Sequence, residues 1–353
     1  MTQVLPLRAL EIVSPAPRAI WNDVAAADPH ALVTQTPAWT DALCASGFHR
    51  DASRLYVTPL GRNIIVPMVR RRGLPGRTRM EASLPAHWGF GGVLAPDGAT
   101  TDDVRIALGD LQQRRVLRQT IRPNPLHHDM WAAHTSGVVR VPRRAHVIDL
   151  AGGPDAVWDN FRSNARRAVR SSEKKGVTVE HDTQGRLLPQ FFGLLELSRV
   201  RWSKQLHEPA WLARMRNRAT DSIEKWQRIS ATLAGQCHVW IASVDAKPAA
   251  GIVVLMGRNA HYTRGAMDKD VAGPSYANYA LHWRALQLAC EQGARSYHMG
   301  ESGTSTSMAR YKEQFGARPY DYEELRIERL PLTRADTAIR STVKRVVGFK
   351  DAE

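Results

Sequence analysis

Residues 238–267 read HVWIASVDAKPAAGIVVLMGRNAHYTRGAM. Two runs rich in Val, Ile and Ala are separated at Asp245–Pro248, and a third follows the turn Gly257–Asn259, so the stretch predicts a three-stranded β-meander. Some 180 residues earlier, RLYVTPLGRNIIVPMVRRR from Arg54 repeats the device as a hairpin around Pro59–Asn63. Helix-like segments precede each copy (Pro17–Ala27 and Pro37–Ser46 before the first, Gln184–Leu233 before the second), and a further helix and strand follow each. A supersecondary unit that appears twice predicts tandem units of an α/β (α+β) class. The chain's 353 residues, 43% of them apolar, suffice for two cores. The join is expected in VVRVPRRAHVIDLAGGPDAVW, where a strand ending at Leu150 meets Gly152 and Gly153. The domains expected are 1–145 and 146–332, with a basic C-terminal helix over 333–353.

The net charge of +15 is spread through the chain. Residues 1–145 carry 18 Arg against 11 acids, and residues 146–353 carry 31 basic groups against 23 acids. No basic tail accounts for it, and an anionic partner such as nucleic acid, nucleotide or a phosphate-rich substrate is implied. Cys44, Cys237 and Cys290 are an odd number without CxxC spacing, which reads as reduced thiols in a cytoplasmic protein. The start MTQVLPLRALEIV lacks a signal-peptide pattern, and no apolar run reaches the length of a membrane span. His127 and His128 lack further ligands at metal spacing, so no metal is expected.

FRSNARRAVRSSEKKG, residues 161–176, sets six cations against one acid, Glu173. Asp155 and Asp159 suit the start of a helix that runs into this stretch, with Pro154 in its first turn. Trp158, Phe161, Ala165 and Ala168 fall on one helical face, and Arg162, Arg166 and Arg170 form an adjacent stripe widened by Arg167, Lys174 and Lys175. A solvated face is the bland account. Like charges four apart repel, however, and a face this one-sided favours phosphate.

In GPSYANYALHWRALQLACEQGARSYHMGESGTSTSMARYKEQFGARPYDYEELRIERL, the positions Tyr276, Tyr279, Ala280, Trp283 and Leu286 give a helix stopped by Gly293. A strand Ser296–Met299 leads to the polar loop Glu301–Ser307. A helix with Tyr311, Lys312 and Phe315 follows, closed by Gly316. A loop after a strand end is where α/β sheets place ligands.

The order of basic helix RSNARRAVRSSEKKGV, meander, helix with LHW, Gly293, strand and YKEQFG resembles the Fem-type aminoacyltransferases within the GNAT acyltransferase superfamily. The likeness covers roughly residues 146–330, and extends more weakly through TQTPAWTDAL, IIVPMVRRR and WGFGGVLAP to the first half. It implies two tandem GNAT-like domains, each a mixed, mostly antiparallel sheet flanked by helices. It also implies transfer of an amino acid from aminoacyl-tRNA to an amine of a peptide, cell-wall precursor or small metabolite, with the charged tRNA as co-substrate and no cofactor. The pathway would be peptidoglycan or antibiotic biosynthesis. The family's lysine–phenylalanine pair falls on Lys312 and Phe315. The strand SYHMG departs from an acid-containing Asp-Phe-Gly type.

An aminoacyl ester is already activated, so the site must align an amine, accept a proton and stabilise an oxyanion. Lys312 is the candidate cation, expected to face the cleft. His298 and Glu301 are the candidate proton acceptors. A histidine satisfied within its strand is the competing account of His298. Tyr262, Asp268, Trp283, Tyr311 and Phe315 are candidate pocket residues, and Arg162, Arg166, Arg167, Arg170, Lys174 and Lys175 candidate tRNA contacts. Neither Lys312 nor His298 is expected in the core. The alternatives are an acyl-CoA-dependent GNAT enzyme and a non-catalytic RNA-binding module. Against CoA, the turn MDKDVAGPSYAN lacks the Gln/Arg-x-x-Gly-x-Gly/Ala cradle at a helix start.

Overall fold

The computed structural model describes residues 9–73, 80–133, 136–205 and 221–338. The chain divides into two compact units, Met1–Arg143 with Asp321–Leu332, and Arg144–Tyr320 with Thr333–Glu353.

In the first unit β1 (Glu11–Val13), α1 (Arg18–Ala27), α2 (Pro37–Cys44), β2 (His49–Asp51), β3 (Arg54–Val57), β4 (Asn63–Val66), β5 (Val69–Arg71) and β6 (Met80–Ala82) precede α3 (Thr101–Gln113), β7 (Arg118–Ile121) and α4 (His128–Ala132). The expected hairpin is β3–β4, paired antiparallel from Arg54↔Val66 to Val57↔Asn63. With β1 it makes a three-stranded sheet, on which Trp21 and Val24 of α1 pack against Leu55 and Ile65. Thr100 starts α3 with a reciprocal cap, its hydroxyl accepting from the Asp103 amide and the Asp103 carboxylate accepting from the Thr100 amide, which satisfies two otherwise orphaned donors.

The second unit opens on β8 (Val139–Asp149) from Arg144 onward, then α5 (Gly153–Asn160), α6 (Ser163–Lys174), β9 (Thr178–Asp182), α7 (Leu188–Gln205) and α8 (Ile223–Thr232). The meander is β10 (Cys237–Val244), β11 (Lys247–Met256) and β12 (Ala260–Met267), with its turns where the sequence puts them. Next come α9 (Lys269–Ser275), α10 (Ala277–Glu291), β13 (Ser296–Glu301) and α11 (Thr306–Glu313). Strand order in this unit is β8-β13-β12-β11-β10-β9. Phe161, Ala165 and Val169 join Leu281, Ala285, Leu286 and Phe315 over Ile252, Val254 and Tyr297 in one core. Each unit is thus a mixed α/β layer structure, as expected.

Two boundaries differ from the sequence reading. The single basic helix is two: Phe161 and Arg162 are extended, so α5 ends before α6 begins, and Asp159 lies in the last turn of α5, away from the helix start that suits an acid. Residues Asp321–Leu332 cluster with the first unit, because in β14 (Arg318–Glu328) the stretch Leu325–Glu328 pairs with Ile121–Arg118 of β7 and Leu325 and Ile327 enter that unit's core. Residues 332–338 are helical. The rest of the expected C-terminal helix, and residues 206–220 of the expected helical stretch 184–233, lie outside the described residues.

Candidate active site

The parallel strands β12 and β13 pair at only two positions, Ala260↔Tyr297 and His261↔His298. Beyond them β12 continues on β11 while Glu301 of β13 pairs with Ala145 of β8. A parallel ladder that ends while both strands run on leaves an opening at their carboxyl ends, the place where open α/β sheets take ligands. Gly300 sits there at φ +71, a conformation that favours glycine, and turns the chain into the polar loop. Ser305 closes that loop by accepting from the Met308 amide at the start of α11.

Lys312 projects from α11 into this corner, but not as a surface cation. It is 4% exposed, and its Nζ donates to the carbonyls of Gly300 (3.0 Å) and Glu301 (2.8 Å). Burial lowers its pKa to about 8, with Glu301 pulling it back up. His298 is fully buried, its ring centroid 6.2 Å from that of His261. The expectation that both lie outside the core is therefore corrected: one occupies an inner strand, and the other is held by main-chain oxygens that only a buried donor reaches.

Around Lys312 lie three further buried histidines that the sequence reading did not assign: His146 on β8, His261 on β12 and His282 on α10. Burial, reinforced by positive neighbours including Lys312, lowers all three, His261 and His282 to about 3. In each the shift favours the neutral imidazole, which can accept a hydrogen bond without carrying charge. His146 Nε2 stands 3.8 Å from Glu313 Oε1, and His282 Nδ1 lies 3.5 Å from the Tyr297 hydroxyl. The LHW motif contained His282, but nothing local to the sequence says that His261 and His298 pair on one face of the sheet while His282 packs on the other with Tyr262 and Tyr297.

Tyr262, Tyr311 and Phe315 join the group through His282, at ring distances of 4.8, 6.0 and 5.2 Å. Burial pushes the Tyr262 phenol up to about 12 and the Tyr311 phenol well above its ordinary value. The Tyr311 Oη is buried and has no hydrogen-bond partner among the described residues. The other two pocket candidates are elsewhere. Trp283 packs at a tilt against Trp158 (ring centroids 4.8 Å) and edge-to-face with Phe161 (5.5 Å). Asp268 is the N-cap of α9, accepting from the Asp270 amide (3.2 Å) and pairing with Lys247 (3.7 Å).

The six cations of the basic stretch divide by what holds them. Arg166 donates to the carbonyls of Asp159 (2.9 Å) and Trp158 (3.4 Å), closing the end of α5. Arg170 lies over the Trp158 ring. Lys175 donates to Pro274 O (2.6 Å) beneath the Tyr276 ring. Arg162 stands 3.6 Å from Glu313. Arg167 and Lys174 are exposed and, among the described residues, bonded to nothing. With Ser163 and Ser171 they line an open depression along α6. Among the described residues no group of His, Cys, Asp and Glu is placed to hold a metal ion, and no helix is long and apolar enough to cross a membrane.

Residues 159–313 match the family model of the acetyltransferase (GNAT) domain. The chain is similar in fold to FemX, with a TM-score of 0.64 at 11% identity over 92% of this chain and 99% of that one. It is also similar to a conserved protein of unknown function from Bacteroides thetaiotaomicron (0.54, 9%, 90% and 99%). The C-terminal domain of a putative lysylphosphatidylglycerol synthetase from Agrobacterium fabrum is a third such structure (0.50, 14%, 92% and 97%). No curated protein matches the sequence. The chain has a Fem-like GNAT acyltransferase fold, as the sequence resemblance implied.

Proposed function

We propose, from this Fem-like GNAT fold, that the protein moves an aminoacyl group from charged tRNA to an amine and forms an amide. The observation that carries the reading is the opening at the ends of β12 and β13, where a buried lysine braces the loop backbone beside neutral histidines. The acceptor amine attacks the ester carbonyl, the tetrahedral oxyanion collapses, and the ribose hydroxyl leaves with a proton. Lys312 supplies the positive field that favours the oxyanion, and by fixing the Gly300 and Glu301 carbonyls it sets the shape of the loop that would align the amine. His298 and Glu301 are the proton acceptors in this scheme. Tyr262 and Tyr311 form the wall of the pocket, with Phe315 in the core behind them, and Arg167 and Lys174 meet RNA phosphates.

What favours tRNA over acyl-CoA is the start of α9. There the Asp268 carboxylate already takes a free helix amide, and a negative charge at that point opposes a pyrophosphate. The deciding assay supplies total aminoacylated tRNA with labelled amino acids and a panel of amines, with and without RNase, and detects amide products by mass spectrometry. Product that RNase abolishes is expected. Product that survives RNase and requires acetyl-CoA would move the protein to the acyl-CoA class, and tRNA binding without any product would leave an RNA-binding module.

A further inference from the structure

A pocket in the second unit, enclosed by α6, β9, β10 and α10, shares no lining residue with the Lys312 site. Its walls are apolar: Val169, Val177 and Val179, with the indoles of Trp240 and Trp283. The space is about 180 Å³, slightly more than the ~150 Å³ apolar cavity that admits benzene. At the exposed rim stand two opposite charges, Glu173 and Arg284.

Glu173 is the one acid of the basic stretch, yet among the described residues its carboxylate makes no ion pair and no hydrogen bond. Among the described residues Arg284 makes only a long contact, to Gln287 Oε1 (3.4 Å). The two do not pair with each other across the opening. Within the wall, Trp240 is 6% exposed and its buried Nε1 has no acceptor among the described residues. An apolar chamber with a carboxylate and a guanidinium left open at its rim is complementary to a ligand bearing both opposite charges and an apolar branch.

We infer that this pocket binds a free α-amino acid with a medium-sized apolar side chain. The ammonium meets Glu173, the carboxylate meets Arg284, and the side chain enters between Trp240 and Trp283. An aminoacyl ester carries no free carboxylate and leaves Arg284 unanswered, so the site is one for the free acid. The inference does not rest on the transfer reaction.

The test is calorimetric titration of the full-length protein with L-leucine, N-acetyl-L-leucine and L-leucinamide, where each capped form lacks one of the two charges. Saturable binding of leucine is expected, weakened about tenfold by either cap, the scale of one charge-assisted contact. Glu173→Gln should weaken leucine but leave N-acetyl-leucine unchanged, and Arg284→Gln should weaken leucine but leave leucinamide unchanged. Both side chains are exposed, so neither variant is expected to unfold the chain. Failure of leucine, valine and methionine alike to bind overturns the inference. So does equal affinity for leucine and both capped forms, or leucine binding indifferent to both substitutions.

Discussion

At the scale of single residues, Lys312 and Gly316 explain why Lys-x-x-Phe-Gly reads as a motif. Lys312 reaches back to two carbonyls, Phe315 fills the core, and Gly316 at φ +76 has the Asn160 carbonyl 3.0 Å from where a Cβ would sit. These three constraints fall within five residues, so the pattern was legible. Gly316→Ala should cost at least ~1 kcal/mol in chemical denaturation, because both the left-handed backbone and the close carbonyl oppose it. Lys312→Met should lose about 2 kcal/mol, since each stranded carbonyl costs ~1–3 kcal/mol and relief of the buried charge offsets only part. If catalysis uses that charge, kcat falls by roughly 100-fold. The lysine also leaves a pH signature. Its folded pKa of about 8 lies below the unfolded value near 10.4. The unfolded chain therefore holds the extra proton between those values, and wild type gains stability relative to Lys312→Met as pH rises through that window. Parallel pH profiles for the two proteins would remove the buried-charge account.

Among the elements, α6 was legible as basic and its break from α5 was not. The helical pattern of Trp158, Phe161 and Ala165 runs straight through Phe161 and Arg162, and only tertiary bonding ends the first helix: the Arg162 amide donates to Gln314 O and the Arg166 guanidinium takes the carbonyls at the end of α5. The charge stripe therefore mixes two jobs. Replacing Arg167 and Lys174 together by Gln should flatten the log–log salt dependence of tRNA binding by about two units, near one for each phosphate no longer neutralised, with no change in Tm. Arg166→Gln should instead lower Tm, since hydrogen bonds to a charged donor contribute ~1.5–3 kcal/mol. Filter binding across a salt series separates them, and an unchanged slope in the double variant would return α6 to a solvated face. The meander, by contrast, was readable strand for strand, because its period and turns are local.

Across the whole molecule, the histidines were the least legible feature, because their burial is produced by elements far apart in the chain, and they set how the protein meets acid. In the second unit burial holds His238 at about 4 and His261 and His282 at about 3; in the first, burial and His30 hold His127 at about 4. Released on unfolding, each returns to about 6.5, so the unfolded chain binds the extra protons and stability falls as pH drops from about 6.5 toward the folded values. With the three in the second unit taken together, the slope approaches ~4 kcal/mol per pH unit near pH 5, against a total stability of order 5–15 kcal/mol. Glu324 acts later. Burial would raise it, but Arg122, Arg326 and Arg143 outweigh that and hold it at about 2, so its contribution is lost only as pH falls below about 4.5. Acid unfolding should therefore be complete above about pH 4, before the Glu324 cluster releases its charge. Circular dichroism against pH, with urea melts at each point, measures the slope. His282→Phe, which keeps a ring among Tyr262, Tyr297 and Phe315, should reduce it by about one proton. A wild type still folded at pH 3, or a variant with the wild-type slope, would mean that these rings are not buried neutral.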